Sequence, residues 1–136
     1  MSAVAGAALR YVGIVFATGF ALGLVRVPLL VPRLGVRGAE LLEMPLMGLV
    51  MLLAAGHVRR RWPALRSARE LLAVGVSALA MLVAAELLLG VLLLGRSPWQ
   101  VVADRDPVSG PVYAAMLVVF ALLPWWLGRG RSQDRR

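Results

Sequence analysis

The chain has 136 residues, 60% of them hydrophobic, with a mean hydropathy of +0.81. This is more apolar surface than a soluble domain of that length buries, so composition excludes an ordinary soluble fold and points to one membrane domain spanning residues 1–136. The net charge of +8 comes from fifteen arginines and no lysine. These arginines flank hydrophobic segments instead of forming a basic stripe, so membrane topology accounts for them and nucleic acid is not an expected partner.

Four hydrophobic segments follow in chain order, at about 9–31, 39–58, 71–94 and 111–128. Each is long enough to cross a hydrocarbon core that needs roughly 17–25 helical residues. Lipid offers no partner for a free backbone amide, so all four are expected as helices of an all-α integral membrane bundle. The first lacks a basic region ahead of its apolar core and carries Arg26 and Arg33 where a cleavage site would lie, so it is expected to be retained. Its Gly19 and Gly23, with Gly13, Ala17 and Ala21, form small-residue ridges suited to close helix packing, and Ala80, Ala84 and Gly90 offer the same in the third segment. Met44, Met47 and Met51 in the second segment read as core filling.

An N-in, C-in topology places ten arginines inside and five outside. That bias favours the arrangement by the positive-inside rule, and it puts Trp62, Trp125 and Trp126 at the cytoplasmic interface and Trp99 at the outer one. Ser67 and Glu70 have capping-box spacing before the third segment. Ser97 and Pro98 suit the start of a brief surface helix ended at Asp106-Pro107, and Ser109, Gly110 and Pro111 restart the chain. Pro124 is a candidate kink.

The ionisable residues inside the segments locate a polar centre. Glu86 lies roughly 5 Å outward of the midpoint of the third segment, Glu43 roughly 8 Å outward in the second, and Arg26 near the outer end of the first. Arg33 is seven residues beyond Arg26, and Glu40 is one turn from Glu43. A charge at mid-membrane costs about 2.5–3.5 kcal/mol on insertion scales, so Arg26, Arg33, Glu40, Glu43 and Glu86 are expected to face inward and pair. Arg33 and Arg37, with Asp104, Arg105 and Asp106, are also expected to form a solvated outer charged rim. Two functions fit. In the first, the cluster fixes helix register in a small structural or accessory subunit. In the second, Glu86 exchanges a proton for a substrate or ion in a small transporter or channel, with Glu43 and Arg26 as its pairing groups.

The single histidine, His57, stands beside an arginine run at the cytoplasmic end of the second segment and reads as interfacial. With no cysteine, no histidine pair and no phosphate loop, neither a metal nor another cofactor is expected, and no nucleophile and base pair by spacing, so no enzyme is expected. The expected partners are the lipid bilayer and, because four short helices rarely enclose a pathway alone, a homo-oligomer or larger membrane complex.

The strings "RVPLLVPRLGVRGAELLEMPLM" and "RDPVSGPVYAAMLVVFALLP" resemble those of an uncharacterised family of small bacterial four-helix integral membrane proteins. That resemblance covers most of the chain and implies a multi-pass protein of the bacterial inner membrane, with no assigned activity to transfer. Small multidrug resistance transporters are of similar size, but carry their membrane glutamate in the first helix. Bacterial fluoride channels have an asparagine-bearing pattern that this chain, with no Asn, lacks.

Overall fold

A computed structural model of the chain describes residues 2–103 and 107–134, with the side chains of 101–103 and 130–134 left aside. Every element among the described residues is helical: α1 (Ala3–Val25), a π turn (Arg26–Leu30), α2 (Val31–Arg61), α3 (Ala68–Leu92), the short α4 (Pro98–Ala103) and α5 (Ser109–Asp134). Asp104, Arg105 and Asp106 lie outside the described residues.

Three helical stretches are long and apolar enough to cross a membrane: Ala3–Arg61, Ala68–Leu92 and Ser109–Arg129. The first holds 59 residues. A straight helix of that length would run about 88 Å, nearly three times a hydrocarbon core of about 30 Å. It is not straight. Gly35 has φ 76 and ψ 168, a conformation essentially confined to glycine, and there the chain turns back. A Cβ built on Gly19 would stand 3.5 Å from Met47 Cε, and Arg26 reaches Glu43, so α2 runs back alongside α1.

The sequence around the turn explains its form. Pro28 and Pro32 lack amide protons, and each proline ring crowds the carbonyl four residues earlier. The helix widens accordingly: the Val31 amide donates to the Arg26 carbonyl, five residues back, in place of the usual four. Helical residues therefore continue past the end of the first apolar segment through both prolines, the non-helical Gly35 makes the reversal, and the part of α2 beyond it carries the second segment.

The other boundaries have local causes. Ser67 caps α3 by accepting the Glu70 amide at 3.1 Å, while Glu70 accepts the Arg66 amide. Ser97 and Gln100 cap α4 reciprocally, at 3.2 and 3.0 Å. Gly95, at φ 65, closes the end of α3.

The four long helical segments pack in a ring in which α1 meets α2 and α3, and α5 meets α2 and α3. The continuous core fills only the end that carries the termini, from Ala7 to Val15 in α1, Met51 to Val58 in α2, Leu71 to Leu82 in α3, and Phe120 and Leu123 in α5. Helix approach is closest between α3 and α5. A Cβ on Gly75 would overlap the Ala121 carbonyl oxygen, and one on Gly128 would overlap Leu71 Cδ1. The ridges expected to carry close packing behave differently: Gly13, Ala17, Ala21, Ala80 and Ala84 are exposed, while Gly19 meets Met47 and Gly90 is buried.

At the centre of the core, Tyr11 crosses from α1 to α5. Its ring stacks on Phe120 with centroids 4.3 Å apart, and its hydroxyl donates to the Phe120 carbonyl at 2.6 Å. In a regular helix that carbonyl would accept the amide of residue 124, which is a proline with no proton to give. Tyr11 therefore satisfies the buried acceptor that Pro124 leaves open.

Candidate functional site

At the opposite end, which carries the α1–α2 turn and α4, the ring opens around a cavity of about 620 Å³. All four long segments line it. Val15, Met51, Leu82 and Phe120, all buried, form its floor, and exposed Val27, Val36, Leu93, Leu94 and Arg96 stand at its mouth.

Arg26, Glu40, Glu43 and Glu86 all line this cavity, and each is only partly exposed. Arg26, the first residue of the π turn, donates through Nη1 to Glu43 Oε2 at 2.7 Å. The Glu43 side chain is 12% exposed and that of Arg26 28%, so the pair sits well out of solvent and ties α1 to α2. One turn along α2, Glu40 accepts the hydroxyl of fully buried Ser109 at 2.5 Å, tying α2 to the start of α5. Glu86 accepts the hydroxyl of Tyr113, tying α3 to α5. Each of these three carboxylates is thus held by a donor from another helix.

Arg33 stands apart. It is exposed and does not line the cavity. The seven-residue relation to Arg26 holds for a regular α-helix, but the π turn changes the angular step between them, so Arg33 comes out on another face. Arg37 is exposed.

Sequence reasoning missed the two hydroxyl donors. Ser109 read as a helix-start residue and Tyr113 as part of an apolar span. The available signal was their spacing: four residues apart at the start of a helix, they share one face. All three methionines line the cavity; Met51 is also part of the core and Met47 packs against it.

No group of three or more His, Cys, Asp or Glu able to hold a metal occurs among the described residues. At the end carrying the termini, Arg59 Nη1 donates to the Leu127 carbonyl at 2.7 Å, Arg61 lies over the Trp62 ring at 5.3 Å, and Arg129 lies over Trp125 at 5.7 Å. His57 is half-buried one turn from this arginine and tryptophan belt. Comparisons of the chain with protein-family models, with curated proteins and with solved structures find no match.

Proposed function

We propose that the protein is a four-span integral protein of the bacterial inner membrane, N-in and C-in, whose outer-half cavity binds a solute, and that it works as a small transporter or channel component in which Glu86 exchanges a proton. One observation carries this reading: the cavity opens at the mouth and extends past Glu86 to a floor closed by Phe120 and Met51. A cluster that served only to fix helix register would need no such volume beside it. The apolar exposed faces of the four segments supply a surface for lipid, and the arginine and tryptophan belt suits the cytoplasmic interface.

Arg26–Glu43 and Ser109–Glu40 favour a second reading, a structural or accessory subunit, because both fasten helices together at the open end. Infrared difference spectroscopy on proteoliposomes separates the two. Under the first reading, a pH step outside the vesicle changes a carboxyl band that is missing from Glu86→Gln. Under the second, the spectra of the two proteins respond alike to the step.

A further inference from the structure

The charged groups lining the cavity are sorted by depth. Counting along each helix from the buried floor, Glu86 is four residues above Leu82, Glu43 eight above Met51 and Arg26 eleven above Val15. At 1.5 Å per residue these steps are roughly 6, 12 and 17 Å. Arg96 is farther still, exposed at the mouth. The deepest charged residue among the described lining residues is therefore Glu86; the Arg26 guanidinium is level with Glu43, which it bonds, and Arg96 stands at the mouth. Around Glu86 the walls carry aromatic rings, Phe16, Phe20 and Phe120, and the thioethers of Met47 and Met116. Aromatic side chains supply large apolar contact area, and thioethers are polarisable and adapt to an irregular apolar body. A volume of about 620 Å³ lies within the range of pockets for drug-sized molecules, roughly 300–1,000 Å³.

We infer that the cavity takes a hydrophobic organic cation, its apolar body against the aromatic and methionine walls and its positive charge towards Glu86. This rests on the reading of the cavity as a solute site. An anion of the same shape would meet a carboxylate at depth, where the low dielectric strengthens repulsion.

Tetraphenylphosphonium and tetraphenylborate provide the test, because they match in shape and differ in the sign of charge. Titration of the full chain in nanodiscs, corrected for empty nanodiscs, is expected to give one saturable phosphonium site, bound at least about tenfold tighter than the borate. Glu86→Gln is expected to weaken the phosphonium about tenfold and to leave the borate unchanged or tighter. Met47→Trp, which fills the cavity, removes saturable binding of either ion. Equal binding of the two ions, or preference for the borate, with sensitivity to Met47→Trp overturns the charge assignment and leaves the cavity reading standing. Absence of any saturable site, or a site indifferent to Met47→Trp, overturns both. The comparison of the two ions on the unaltered protein needs no variant to fold.

Discussion

At the scale of single residues, two side chains are explained by what their neighbours lack. Tyr11 is one of the largest fully buried side chains, and its hydroxyl donates to the carbonyl that Pro124 cannot serve. Tyr11→Phe keeps the stack on Phe120 and deletes only that bond, so unfolding in detergent is expected to become easier by about 1–3 kcal/mol, the usual effect of stranding a buried acceptor. Pro124→Ala restores an amide four residues beyond Phe120. Combined with Tyr11→Phe it is expected to recover part of the loss, a coupling that a double-mutant cycle reads directly. Arg26 presents the complementary case. Arg26→Ala leaves Glu43, with its side chain 12% exposed, without the guanidinium that faces it. The cost is expected on the order of 2 kcal/mol, below the roughly 3–5 of a fully buried pair, because Arg26 itself keeps 28% exposure. Glu43→Gln in the same background is expected to recover stability, as measured by denaturant titration of both variants. Of this site, the carboxylates and Arg26 were legible because charge inside an apolar run is conspicuous. Ser109 and Tyr113 were not, since hydroxyls pass unremarked in a membrane segment until the carboxylates they face are placed in space.

At the scale of elements, the unusual turn between α1 and α2 and the tight seam between α3 and α5 both depend on glycine. Gly35 holds a backbone conformation in which any side chain is strained, so Gly35→Ala is expected to cost about 1–3 kcal/mol although nothing lies within 4 Å of the added methyl. Gly75 is the opposite kind of position, regular in backbone but in contact with the Ala121 carbonyl. Gly75→Ala is expected to push α3 from α5 and destabilise by about 1–3 kcal/mol. Gly13→Ala, open to its surroundings, is the control and is expected to be neutral or slightly stabilising in the same thermal melts. The helical character of the apolar segments was legible from length and composition. The turn was not: the segments ended at about 31 and resumed at about 39 with nothing assigned between them, and the helical chain passes through Pro28 and Pro32 in a widened turn before reversing at Gly35. Nor did the ridges seen in α1 foretell the contact that matters most, because small residues mark a possible close approach on every face they occupy, and only the packing of the whole ring selects one.

At the scale of the molecule, the packing is unequal from end to end. Small side chains and the Tyr11–Phe120 stack close the end near the termini, while three carboxylates held by neighbouring helices surround an open cavity at the other. The chain contains no cysteine, so single cysteines report position without a background to remove. Ser97→Cys is expected to react with an impermeant maleimide on intact cells, and Ser2→Cys and Ser67→Cys only after permeabilisation, as the proposed topology of four spans with both termini inside requires. The most direct test of the central claim places the cysteine within the cavity. Met47→Cys, treated on intact cells with a small, charged, impermeant methanethiosulfonate, is expected to be labelled and then protected by a solute that fills the space, whereas Val74→Cys in the closed core stays unlabelled. Equal inertness of both positions, with Ser97→Cys reacting normally, would contradict an outward-facing cavity beside Glu86.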